Sequence, residues 1–208
     1  MTTNSGFVVD CRRLPENFPT HLHDAAFWEW LGRVIATFGF LEEVLGKAIF
    51  AFSATRPYPE NEIHAAYEKW KTTLELALYD PLGNLISSYE KAVREHEGAN
   101  IENFPELVID LQRAAELRNV MCHGSWRKPD ANGGSLPLFV NRRMKVFDTK
   151  IDVAFLQQTQ RHVAGLACAV ISSVTSMGWQ FPGSDSPGNP LIPTSQPKSQ
   201  IPNPKSLS

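Results

Sequence analysis

One apolar stripe near the N-terminus constrains the fold of this 208-residue chain more than any other feature. Between His21 and Phe52, apolar residues recur at alternating spacings of four and three: Phe27, Leu31, Val34, Phe38, Leu41, Leu45, Ala48 and Phe52. That spacing places these side chains on one face of a continuous α-helix. Because such a face is stable only when other elements cover it, the pattern predicts a packed helical core.

Prolines and capping residues mark the boundaries of the next predicted helices. The residue before a proline disfavours helical dihedral angles, so Asp80 separates a helix over Asn61–Leu78 from one over Pro81–Glu97. A further helix is expected to start at Asn103, whose side chain can form a capping box with Glu106.

The end of that helix and the segment after it complete the predicted fold. Gly124 is expected to end the helix in the left-handed conformation that glycine adopts most readily. Turn-forming residues 130–134 follow, and Leu136–Asn141 and Met144–Thr149 are short and apolar enough to predict a small β-hairpin. Asp152 then caps a last helix. The expected fold is all-α, a four- to five-helix bundle with this hairpin inserted before its last helix.

Composition divides the chain into an N-terminal segment (1–20), a helical domain (21–180) and a tail (181–208). The tail holds seven of the 15 prolines and six serines, which predicts disorder. The N-terminus lacks the apolar core of a signal peptide. The uncharged stretch Val163–Ser184 has too short an apolar part for a bilayer. We therefore expect a cytoplasmic protein with no membrane partner.

Three glycines repeat every seven residues along the first predicted helix, at Gly32, Gly39 and Gly46. Each costs up to about 1 kcal/mol of helix propensity relative to alanine. A seam without side chains lets another helix approach closely, so we interpret the repeat as a packing feature.

Charge and motif content exclude several classes of function. The net charge of −2 argues against a chain that binds nucleic acid through bulk positive charge. Phosphate-binding loops, dinucleotide fingerprints and nucleophile elbows do not occur in the sequence. The three cysteines and the His21-x-His23 pair have no metal-ligand spacing, so we expect neither a metal nor another cofactor.

The most informative residues lie at the end of the helix that starts at Asn103. Arg118 falls at the centre of that helix's apolar stripe, and a guanidinium cannot be buried without a carboxylate, a bound anion or an opening to solvent. Asn119 and His123 are four residues apart on the shoulder of the stripe, so their side chains can touch. With Cys122 they occupy one arc of about 140°.

This arrangement suits the cleavage of RNA by its own 2′-hydroxyl. His123 lies at the negative end of the helix dipole, which favours a protonated imidazole. One group must take the 2′-hydroxyl proton and another must stabilise charge on the phosphate, and neither step needs a metal. In the structural alternative, Arg118 forms an ion pair with Glu42 or Glu43 and His123 only caps the helix.

The segment Leu117-Arg118-Asn119-Val120-Met121-Cys122-His123-Gly124 resembles the Arg-polar-x3-His signature of the HEPN superfamily. The segment Phe38–Glu42 is similar to the first helix of HEPN proteins of the phage-defence type. The resemblance implies a bundle that dimerises so that two signatures face each other. It also implies a metal-independent endoribonuclease that leaves a 2′,3′-cyclic phosphate, often within toxin–antitoxin systems.

Residue roles follow from the same resemblance. It implies that Arg118 contacts the phosphate, His123 acts as general acid and base, and Asn119 orients the reacting groups. Glu42 as a partner of Arg118 is our own addition to the signature. The superfamily also contains inactive modules that bind nucleotide, RNA or a protein partner, and this remains the alternative function.

A basic segment follows the signature. Residues 118–150 contain seven basic and two acidic residues within an acidic chain. The residues expected to bind RNA are Arg127, Lys128, Arg142, Arg143 and Lys145. Trp126 and Phe139 are candidates for stacking on unpaired bases. The alternative is a solvated basic hairpin with Trp126 packed into the core. The expected partners are RNA, a second copy of the chain and a cognate antitoxin or regulatory protein.

Overall fold

The computed structural model of the chain describes residues 6, 8–62, 64–65, 68, 71–72, 80–141, 143–185 and 187–191. Across these residues the α-helices are α1 (Ala25–Ala54), α2 (Leu82–Arg94), α3 (Phe104–His123) and α4 (Val153–Thr175), with short 3-10 helices at Cys11–Arg13 and Glu60–Glu62. The all-α prediction is confirmed for this part of the chain. Within the predicted helix Asn61–Leu78, the described residues 64–65, 68 and 71–72 are also helical, and most of the rest lies outside the described residues.

Helix α1 forms the centre of the core. Asp24 caps it by accepting a hydrogen bond from the Phe27 backbone N–H at 2.9 Å. All eight residues of the predicted stripe are buried. Helix α1 packs against α2, α3 and α4, and most extensively against α4. The period of the apolar residues therefore predicted both the helix and its buried face.

Helix α4 covers much of the stripe of α1. Its cap is the predicted one, since Asp152 accepts from the Phe155 backbone N–H at 2.7 Å. Tyr89 of α2 donates its hydroxyl to Ser173 of α4 at 2.8 Å, and burial raises the pKa of Tyr89 to about 12. No helix in the described part of the chain is both long enough and apolar enough to cross a bilayer.

The start of α3 differs from the predicted capping box. Asn103 precedes the helix, but its side chain makes no capping hydrogen bond. Its backbone is left-handed, with φ 54° and ψ 32°. Asparagine tolerates this conformation better than most residues, so Asn103 serves the turn into α3 through its backbone.

The end of α3 also differs from the prediction. Gly124 is extended, with φ −69° and ψ 138°, so it does not adopt the left-handed conformation. A Cβ at this position would lie 2.6 Å from the carbonyl oxygen of Val120 and 2.9 Å from Cβ of Pro137. Glycine is required here because the backbone passes close to two neighbours.

Residues 125–151, which we name the connecting arm, join α3 to α4. The predicted β-hairpin lies within it, but the described residues form only isolated antiparallel bridges, at Ser125–Leu138, Ser135–Ile151 and Val140–Val146. Pro137 lacks the N–H group that a continuous ladder needs beside Leu138. The described residues of the arm are thus held at separate points and do not form strands.

The first residues of the predicted tail lie against the helices. Phe181 is buried in the core, and Trp179 pairs with Asn189 through a parallel bridge. The N–H of Gln180 donates to the carbonyl of Asn189 at 2.9 Å. Residues 192–208, the greater part of the predicted tail, lie outside the described residues.

The close approach at Gly124 predicts that Gly124→Ala destabilises the protein by about 1–3 kcal/mol, the usual cost of overpacking. Gly165→Ala is the matched control, because Gly165 lies in α4 with nothing within 4 Å of an added Cβ. That variant is expected to gain up to about 1 kcal/mol, since alanine favours a helix more than glycine does. Urea unfolding followed by circular dichroism measures both, and equal effects of the two variants would contradict the prediction.

Candidate functional site

Arg118 lies on α3 opposite Glu42 of α1. Its Nη2 is 3.5 Å from Oε1 of Glu42, and the two side chains are 29% and 28% exposed. Glu43, the other acidic residue considered for this position, forms an ion pair with Lys47 at 2.6 Å instead. The guanidinium therefore has a carboxylate neighbour and an opening to solvent, and an ion pair this exposed contributes little to stability.

The predicted polar residues Asn119 and His123 are exposed on the last turn of α3. Among the described residues, neither side chain has a hydrogen bond or an ion pair. Cys122 lies between Arg118 and Asn119 in the arc and is partly buried. The structure thus brings Arg118, Asn119 and His123 to one helix end, where both the histidine and part of the arginine meet solvent.

The backbone after His123 determines what surrounds this helix end. Because Gly124 is extended, the chain leaves α3 directly into the connecting arm. The N–H of Ser125 donates to the carbonyl of Leu138 at 3.0 Å, and the N–H of Leu138 donates back to Ser125 at 2.8 Å. One side of the arm is therefore fixed immediately beside His123.

The connecting arm presents cations to solvent. Of the five predicted RNA-binding residues, Arg127, Lys128, Arg143 and Lys145 are exposed, and Arg142 lies outside the described residues. Lys150 is committed to an ion pair with Asp130 at 2.7 Å. Apolar side chains are exposed on the same arm: Leu136, Leu138, Val140, Met144 and Val146. The surface combines positive charge with apolar groups.

The two aromatic residues considered for base stacking pack inwards. Trp126 contacts Phe27 with ring centroids 5.0 Å apart and lies edge-on to His23 and Trp28. Phe139 is partly buried against the core. These contacts favour the alternative in which Trp126 belongs to the core.

A second feature, which the sequence reasoning missed, is a cavity of about 320 Å³ between the start of α1 and the start of α4. Its polar lining residues include His23, Asp24, Asn132 and Asp152. The aspartates that cap the two helices were readable from the sequence, but the contact between the two helix ends was not. No predicted site residue lines this cavity. Within the described residues, no cluster of three or more His, Cys, Asp or Glu is arranged to hold a metal ion.

The imidazole of His23 lies among aromatic side chains beside this cavity. Its ring stacks on Phe27 with centroids 4.3 Å apart, and its Nε2 is buried without a hydrogen-bond partner in the described structure. Burial lowers the pKa of His23 below 6.5, and the neighbouring carboxylate of Asp24 partly opposes this shift. The neutral imidazole is therefore the form that fits the fold.

Comparison with protein-family models, with curated proteins and with solved structures finds no match to this chain. The resemblance to HEPN proteins therefore stands on the signature residues themselves. Their placement at one helix end is the structural observation from which a function must be argued.

The lowered pKa of His23 predicts a loss of stability in mild acid. Because the unfolded chain takes up a proton near pH 6.5 and the folded chain resists it, the free energy of unfolding falls as the pH drops through about 6.5. Thermal melts between about pH 7.5 and 5.5 are expected to show a smaller decrease in Tm for His23→Phe than for the wild type. The exposed His21, changed to Asn, is the control and should behave as wild type. Equal decreases for wild type and His23→Phe would show that another group is responsible.

Proposed function

We propose that this chain is a metal-independent endoribonuclease of the HEPN type, in which the four described helices form a HEPN-like bundle and the connecting arm occupies the position of the expected hairpin. One observation carries the proposal. The last turns of α3 hold a partly exposed Arg118 and an exposed His123 that has no hydrogen bond among the described residues. A permanent cation and an imidazole at one helix end are the kinds of group that transphosphorylation of RNA requires.

The proposed reaction uses the ribose 2′-hydroxyl as the nucleophile. The neutral imidazole of His123 takes the 2′-hydroxyl proton, the 2′ oxygen bonds to phosphorus and the bond to the 5′ oxygen breaks. Arg118 stabilises the charge that develops on the phosphate oxygens, and the leaving oxygen is protonated by an imidazolium. The products are a 2′,3′-cyclic phosphate and a 5′-hydroxyl. Asn119, one turn before His123, would orient the imidazole once RNA is bound, since the two side chains share no hydrogen bond in the described structure.

The proposed substrate and partners follow from the surface around the site. Arg127, Lys128, Arg143 and Lys145 are exposed on the arm, and they would neutralise RNA phosphates beside the reacting group. Two copies of the chain would supply the base and the acid from two copies of His123. The activity would then belong to a toxin or phage-defence effector, restrained by an antitoxin or regulatory protein.

The alternative is a non-catalytic HEPN-like module that binds nucleotide, RNA or a protein partner. The contact of Arg118 with Glu42 at 3.5 Å favours this alternative, because a neighbouring carboxylate reduces the net positive charge that a phosphate would meet. In a nuclease, the phosphate must displace or outcompete this carboxylate. The two candidates therefore differ in whether RNA is cleaved after it binds.

We expect the purified protein to cleave RNA in excess EDTA, leaving 2′,3′-cyclic phosphate ends. His123→Ala should reduce cleavage by about 10²–10⁴-fold, because the proton transfer loses its catalyst. His162→Ala is the matched control, since His162 is an exposed histidine on α4 far along the chain from the arc. Labelled RNA on a denaturing gel gives the readout. Equal cleavage by wild type and His123→Ala would contradict the assigned site, and binding without cleavage would support the alternative module.

Arg118→Gln tests the second residue. Removing one charged donor from a developing oxyanion costs on the order of 10²–10³-fold in rate. The free energy of unfolding should fall by no more than about 1 kcal/mol, because the Arg118–Glu42 pair is partly solvated. Cleavage is measured on the gel and stability by urea unfolding. A large loss of stability with unchanged cleavage would assign Arg118 to the fold alone.

A further inference from the structure

Helix α1 has a second face, opposite its buried stripe, that the described chain leaves open except at Lys47, whose Nζ lies 3.4 Å from where a Cβ on Gly183 would stand. We name this the open face of α1 and define it by Ala25, Glu29, Gly32, Arg33, Ala36, Gly39, Phe40, Glu43 and Lys47. At 100° per residue these positions fall within about 120° of one another around the helix axis. Every one of them except the partly buried Lys47 is exposed.

The centre of the open face is unusually bare. A Cβ added at Gly32 or at Gly39 would have nothing within 4 Å, so at these two positions of the predicted glycine seam no described residue packs against the helix. Phe40 stands beside these small residues with 48% of its surface exposed. A partner that covered this face would therefore meet a large apolar side chain next to a shallow channel.

Charges at the two ends of the open face are arranged in the same order. Arg33 bonds to Glu29 at 2.7 Å, and Lys47 bonds to Glu43 at 2.6 Å, so each end carries an acidic residue followed by a basic residue four positions later. Reversing the helix direction therefore places a basic residue opposite each acidic one. The pattern is complementary to itself.

The positions of these charges agree on a single point of symmetry. Glu29 and Lys47 lie nine residues to either side of position 38, and Arg33 and Glu43 lie five residues to either side. Residues equally distant from a two-fold axis face each other in an antiparallel pair of identical helices. Ala36 and Phe40 are each two residues from the same point. The exposed ring of Phe40 would therefore lie on the small side chain of Ala36 in the opposite helix.

We propose that the open face of α1 is the contact between two copies of this chain, with the two α1 helices antiparallel and centred on position 38. Glu29 of each copy meets Lys47 of the other, and Arg33 meets Glu43. Phe40 packs on Ala36 of the second copy, and the glycines allow the helix axes to approach to about 8 Å. The contact takes from the proposed function only the expectation of a homodimer.

This contact would place the two Glu42–Arg118 pairs on the same side of the dimer. Glu42 lies beside the open face, on the flank that carries Gly39, and it holds Arg118 of its own chain. A two-fold axis perpendicular to the helices keeps that flank on the same side in both copies. Because Glu42 is four residues from the centre, the two Glu42–Arg118 pairs are separated by about 12 Å along the helix direction.

The test uses two variants that carry opposite charge on the open face. The acidic variant has Arg33→Glu and Lys47→Glu, and the basic variant has Glu29→Lys and Glu43→Lys. Each variant turns both intrahelical pairs into like-charge pairs, at a cost of about 0.2–0.5 kcal/mol per pair that mixing cannot relieve. Circular dichroism establishes that each is folded.

Sedimentation velocity and native mass spectrometry measure the association. We expect a dimer for the wild type, monomers for each variant alone, and a heterodimer when the two variants are mixed in equal amounts. A monomeric wild type, variants that still dimerise, or a mixture that stays monomeric would each overturn the contact. If a monomeric wild type cleaves RNA, the proposed contact is wrong and the proposed ribonuclease activity stands. If the expected dimer forms but does not cleave RNA, the contact stands and the ribonuclease activity is wrong.

Discussion

The burial of the apolar face of α1 is the constraint on which the rest of the structure depends. Helices α2, α3 and α4 all pack on this one helix, and its stripe is covered along its whole length, from Phe27 to Phe52. Glu42 is carried on the flank of the same helix and meets Arg118 there. The element that organises the core thus also sets which carboxylate the candidate site receives.

Much of the helical framework could be predicted from the sequence, because apolar period and capping depend on neighbouring residues. The caps at Asp24 and Asp152 are of this kind, although only the latter was predicted. Asn103 and Gly124 were placed correctly at the ends of α3. The predicted capping bond of Asn103 and the predicted left-handed conformation of Gly124 were wrong. At Gly124 the reason is the approach of Pro137, a residue from the connecting arm, which no local pattern records.

In the candidate site, too, some features could be predicted from local sequence and others could not. The grouping of Arg118, Asn119 and His123 follows from helix geometry alone and was predictable. The choice between Glu42 and Glu43 was left open, although the period of α1 places Glu43 opposite the buried stripe, where it pairs with Lys47. The inward position of Trp126 depends on Phe27 and His23, more than 90 residues earlier in the chain.

The pairing of the first long helix with the last one has a consequence for synthesis of the chain. Helix α1 ends at Ala54, whereas α4, its most extensive neighbour, ends at Thr175. At about 5–20 residues per second, a ribosome needs roughly 6–24 s to produce the intervening residues. During that interval the stripe of α1 lacks its main cover, so the nascent chain exposes apolar surface of the kind that chaperones bind.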